Sequence, residues 1–151
     1  MKSYFVRFFN IVMAGLVAGI VLGISLGYNP INLSATTYVE QHQNAIASLN
    51  TLMPILGAIT ILLTLVSAYQ QKRNKPVFIA LLIAVAFLTT SGLVTKLGNQ
   101  PINSIVMEYQ LDKIPTDWGT LRDKWWSLHL IRTATSIIGF LIILWAGIRK
   151  D

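Results

Sequence analysis

Trp125, His129, Arg132 and Ser136 are separated by four, three and four residues, so a helix carries all four on one face. An indole, an imidazole, a guanidinium and a hydroxyl can together stack on a ring, move a proton and hold an anion. Their location makes the set informative. They lead straight into an apolar run, Ile137 to Ile148, that ends at Gly147-Ile148-Arg149-Lys150. Those 12 residues give only about 18 Å of helix. A hydrocarbon core of roughly 30 Å needs about 20 residues, so the helix recruits two more turns upstream and takes in Arg132. Counted back from Ile148, Arg132 lies about 24 Å along the axis and His129 about 28 Å. The arginine is just inside one face of the membrane and the histidine is at its edge. An ionisable residue in that position is costly and is read as functional.

Two readings of Arg132 stay open in the sequence. In one, it snorkels its guanidinium to nearby headgroups and the tryptophans form an interfacial belt. In the other, it points into a polar cavity between helices, which also accounts for a histidine, a tryptophan and Ser136 on the same face. A metal site is a weaker candidate. His42 and His129 are the only histidines, and Glu40, Glu108 and Asp112 are the carboxylates that would complete a set for iron, copper or zinc. No HxxxH or ExxH spacing joins them, and nothing beyond the pair itself favours axial ligation of a haem. Nucleophilic triads, phosphate loops and nucleotide motifs are absent, and the sequence assigns no cofactor. No acidic residue falls within an apolar run, which argues against a transporter built on a buried carboxylate.

The elements that must position these residues are membrane spans. The chain has 151 residues, 54% hydrophobic and 12% charged, about half the charge of a soluble domain. The length suits a single domain over residues 1–151. The net charge of +6 does not form a basic stripe for nucleic acid; the cations sit at the ends of apolar runs. Cysteine is absent, which removes disulfides, thiolate chemistry and cysteine-held clusters.

The expected class is an all-α integral membrane four-helix bundle, with spans near Phe8–Gly27, Leu49–Tyr69, Val77–Val94 and Leu128–Ile148. The first run is 20 residues long, more than the 7–15 of a signal-peptide core, and is expected to be retained. Gly15, Gly19, Gly23 and Gly27 recur every fourth residue, a spacing that predicts close packing of another helix. Ser34 is a candidate N-cap for a helix entering the second span, which Pro54 should kink. Thr89-Thr90-Ser91 and Thr95 are expected to bond back to the preceding turn, and Gly98 to stop the third span. Pro101 then opens a short amphipathic helix in a loop too polar to cross. Lys2, Arg7, Lys72, Arg73, Lys75, Arg149 and Lys150 fall on one side of the membrane, against Asp151 alone. Both termini are therefore expected in the cytoplasm of a multi-pass cell-membrane protein, with the loop after span three outside.

Asn99-x-Pro101-x-Asn103 after the third span, and Leu121-Arg122-x-x-Trp125-x-x-x-His129-x-x-Arg132 opening the fourth, resemble the anthrone-oxygenase-like family of small membrane proteins. Gln41-His42-Gln43 with Leu52-Met53-Pro54 resembles it too, so the likeness covers nearly the whole chain. It implies oxidation of an anthrone to an anthraquinone without a bound cofactor, and it carries over Asn99, Pro101, Asn103, Trp125, His129 and Arg132. In that chemistry His129 generates the ring carbanion, which reacts with O2, and Arg132 stabilises the enolate oxygen. Asn99 and Asn103 hold phenolic hydroxyls, and Trp125 stacks on the rings of a small apolar aromatic ligand. The rival is a non-catalytic membrane protein in which Arg132 and the asparagines form a polar clasp. Arg132 is expected to reach Asn99 or Asn103, with His129 one turn above on the same cavity wall. The sequence leaves oligomeric state open.

Overall fold

The structure, a computed structural model, describes residues 2–149, with side chains from Tyr4 onward. The side chains of Lys2, Lys150 and Asp151, counted in the charge bias, lie outside those described. The helices are α1 (Lys2–Gly27), α2 (Ala35–Leu49), α3 (Leu52–Gln70), α4 (Lys75–Val94), α5 (Gln100–Met107) and α6 (Trp118–Ile148). Among the described residues, four stretches are long and apolar enough to cross a bilayer: Tyr4–Asn32, Leu52–Gln70, Lys75–Met107 and Trp118–Ile148. The chain is thus an all-helical bundle in which α1 packs on α3 and α6, and α4 packs on the same two.

One apolar core lies where Ala14, Ala68, Leu81, Ala84, Ile143 and Ala146 meet. A second core is aromatic. Tyr38, Val39 and Ile46 of α2 close over Ile102 and Val106 of α5 and over Trp125 and Trp126 of α6. The α2 helix starts as its sequence predicts, with Ser34 Oγ accepting from Thr37 N at 3.3 Å.

Three expectations about the helices are corrected. The second span is not one kinked helix: the chain breaks between α2 and α3, and Pro54 sits in the first turn of α3, where its missing N–H is tolerated. Proline cannot serve the carbonyl four residues before it, that of Asn50, so Gln100 Nε2 donates to it instead at 3.2 Å. Gly98 does not end a helix. It lies in a π turn, Thr95–Asn99, that carries α4 into α5, and a Cβ there would stand 2.8 Å from Leu128. The glycine serves close approach of α6. The glycine stripe of α1 packs at Gly15 alone of its four members, where a Cβ would stand 3.3 Å from Phe140 of α6; a Cβ on Gly19, Gly23 or Gly27 meets nothing within 4 Å. Asn10, Ala14, Val17, Ala18 and Val21 form the packed face instead. Small residues permit close approach but do not require it, and the buried face is set by the larger apolar side chains beside them.

Candidate functional site

Arg132 is 9% exposed and His129 0%, so the guanidinium stays within the protein. Its Nε and Nη2 both donate to His129 Nδ1, at 3.0 and 2.8 Å. The two residues are one helical turn apart, which sets that geometry. The expected contact with Asn99 or Asn103 is not made, because His129 is nearer along the same helix and offers a lone pair. Arginine donates only, so Nδ1 is the acceptor and a neutral His129 carries its proton on Nε2. That nitrogen meets Ser25 Oγ of α1 at 3.0 Å, while Ser25 donates to Val21 O at 3.0 Å. Thr133 Oγ1 donates to His129 O at 2.8 Å. The imidazole is also closed in by two indoles, Trp125 at 5.0 Å and Trp126 at 5.5 Å between ring centres.

Asn103 is the second node. Trp125 Nε1 donates to its Oδ1 at 2.8 Å. The same oxygen faces His42 Nε2 at 3.3 Å, and Nδ2 donates to Asn50 Oδ1 at 2.8 Å. Tyr28 reaches His42 Nδ1 at 3.4 Å. Asn99 is fully buried and donates to Trp125 O at 3.0 Å, bracing the π turn against α6. Its Oδ1 and the Tyr38 hydroxyl are buried with no hydrogen-bond partner among the described residues. The hydroxyls at the end of α4 and the start of the π turn divide between local and distant partners. Thr90 and Thr95 bond back to Ala86 O and Ser91 O as expected, whereas Ser91 crosses to Arg132 O and to Ser136 Oγ at 2.8 Å.

Two cavities flank Arg132. The first, about 180 Å³, is walled by Tyr28, His42, Asn50, Asn103, Trp125 and Arg132 among apolar residues of α1, α2 and α3. The second, about 220 Å³, lies between α1, α3 and α4 and is walled by Ser91, Thr95, Lys96, Gln100, Arg132 and Ser136. Both share Val21, Met53, Pro54 and Thr95 as well as Arg132. Together they reach the low end of the roughly 300–1,000 Å³ typical of ligand sites. His129 and Asn99 line neither, so the cavity expected beside the histidine opens on its arginine neighbour instead.

The metal candidates separate on geometry. Trp125 contacts both histidines, edge-on to His42 at 4.5 Å and stacked on His129 at 5.0 Å. Glu40, Glu108 and Asp112 are exposed. Among the described residues no group of three or more potential ligands gathers.

His42 is outside the spanning helices, in α2. Burial, the largest cause, pushes its imidazole down to about 4; Asn103 opposes the shift and the Arg132 charge adds to it. It is therefore neutral near pH 7. The sequence singled out His42 as a weak ligand and within the Gln41-His42-Gln43 resemblance, and gave no site role to Tyr28, Asn50 or Ser25. Their contacts with this site span 14 to 104 residues of chain.

A helical bundle with stretches of membrane-spanning length, and a buried cation between two cavities, has the character of a multi-pass membrane protein. The chain belongs to the anthrone oxygenase family, whose model matches residues 42–142. No curated protein and no solved structure matches it.

Proposed function

We propose that the protein oxygenates a small aromatic carbon acid of the anthrone or quinol type, bound in the cavity beside Arg132. The observation that carries this reading is the state of Arg132. A guanidinium has five N–H groups, and the two that bond both end on one acceptor, His129 Nδ1. Among the described residues no carboxylate pairs with it; the ion pair found is Arg122 with Asp123. A buried cation with N–H groups left over stabilises an oxyanion that forms during reaction. In this role His129 orients Arg132, and Trp125, Tyr28 and Asn103 shape the space for the rings.

The polar clasp accounts for part of the site. Asn50, Asn99, Gln100 and Asn103 spend their amides on one another and on helix carbonyls. Arg132 takes no part in that brace, and the clasp leaves its burial unexplained.

The same reading puts the chain in the cell membrane with both termini cytoplasmic and the site in the outer half. The basic bias of the inner loops supports it.

The test is anthraquinone formation from anthrone, with O2 uptake, by protein purified in detergent and compared with autoxidation in detergent alone. Arg132→Met should lower the enzymatic rate by about 10²–10³-fold, the usual effect of losing an oxyanion donor. Equal rates for wild type, variant and detergent would overturn the proposal.

A further inference from the structure

We propose that His42, through Nδ1, is the base that removes the ring-carbon proton of a substrate whose oxygen lies on Arg132. This rests on the reading of the cavity given above, and it deepens it. The assignment follows from donors that have no choice. Trp125 Nε1 can only donate, so the Asn103 atom 2.8 Å from it is the oxygen. That oxygen also faces His42 Nε2 at 3.3 Å, so Nε2 holds the hydrogen. The His42 lone pair is then on Nδ1, turned to the Tyr28 hydroxyl at 3.4 Å. A contact that long is weak, and a substrate can displace it.

The same reasoning removes His129 from the role. Its Nδ1 already accepts twice from Arg132, its Nε2–H faces Ser25, and it lines neither cavity. His42 and Tyr28 both stand in the cavity wall with Arg132. The titratable groups facing His42 are Tyr28 just after α1, Tyr38 of its own helix, and His129 and Arg132 of α6. No carboxylate lines the cavity.

In the step, a ring C–H bond breaks and its electron pair passes into the ring and onto the carbonyl oxygen, where Arg132 holds the charge. The proton goes to Nδ1. The imidazolium forms only as the enolate does, so the two charges offset each other. O2 then adds at the carbon and takes that proton as a hydroperoxide. The same nitrogen accepts the second ring hydrogen as the O–O bond breaks, and water leaves. The substrate supplies all four electrons; one oxygen atom enters the product carbonyl and the other becomes water.

Anaerobic exchange of anthrone ring hydrogens in D2O, followed by NMR, isolates the proton step. With wild type, exchange should exceed the detergent background, hold level from pH 8 to about 5, and fall as His42 protonates near its pKa of about 4. His42→Gln should lower exchange by about 10²–10⁴-fold, the usual worth of a general base. Anthrone binding, read by tryptophan quenching, should stay within about threefold. His129→Gln should slow exchange through Arg132 yet keep the acid limb. Wild-type exchange in His42→Gln overturns the assignment while leaving the cavity reading intact. Wild type that exchanges no faster than detergent overturns both. If His42→Gln does not fold, Asn103→Asp decides: a carboxylate on Nε2–H must move the acid limb upward, and an unmoved limb overturns the proposal.

Discussion

Replacing Arg132 by methionine and Asn103 by leucine separates a residue kept for chemistry from one kept for the fold. Asn103 touches three polar groups: Trp125 Nε1, His42 Nε2 and Asn50 Oδ1. Leucine satisfies none of them. A buried group left unpaired costs about 1–3 kcal/mol, and with relaxation the three together should cost about 3–5 kcal/mol. Arg132→Met strands one acceptor, His129 Nδ1, for about 1–3 kcal/mol. It also removes a buried charge that no carboxylate offsets, and such removals are often neutral or stabilising. The net effect should be near zero, within about 1 kcal/mol. For a chain of this length about 1 kcal/mol moves Tm by roughly 2–4 °C. Thermal unfolding in one detergent should therefore show Asn103→Leu lower by about 10 °C and Arg132→Met almost unmoved but inactive. Equal losses of stability would refute the reasoning, since they would make Arg132 a member of the brace.

Acid should destabilise the protein through His42. Its pKa falls from 6.5 to about 4 on folding, so between those values the unfolded chain binds the extra proton. The His42 contribution is complete above pH 6.5 and declines as pH drops toward 4, by about 3 kcal/mol in all; denaturant titrations across that window check it, and a flat profile contradicts it. Gly139→Leu should unfold or severely weaken the bundle, because a Cβ there already meets Leu88 at 3.2 Å and the Ala84 carbonyl at 3.5 Å. Gly23→Leu, facing open space, should stay within about 0.5 kcal/mol, and the reverse order in thermal melts would sink the packing described for α1. A cysteine at Asn74, in the basic loop between α3 and α4, should resist an impermeant thiol reagent in intact cells; labelling there would invert the orientation.

The spans were legible because membrane crossing is written in run length, which needs no tertiary knowledge. Their bounds came within a few residues where charges or turns flank the run, as at Lys75. They failed where a partner in another helix decides the outcome. Pro54 reads as a kink until Gln100 is seen supplying the donor that proline lacks. Gly98 reads as a stop until Leu128 is seen against it. The glycines of α1 match a packing motif, but nothing in that motif says which face the larger side chains will choose.

The site divides in the same way, along the contrast between local and distant geometry. Trp125, His129 and Arg132 share one face of α6, so periodicity alone brought them together. The role of each depends on what arrives from elsewhere. Ser25 comes from α1, Asn103 from α5 and His42 from α2. Those arrivals lock one histidine in place as the support of a cation, and set the other in a cavity wall with its lone pair weakly held. Two imidazoles alike in sequence thus come to lie in unlike surroundings. Both carry their hydrogen on Nε2, and the difference lies in what meets Nδ1: at His129 two N–H groups of an arginine that can only donate, and at His42 a tyrosine hydroxyl 3.4 Å away.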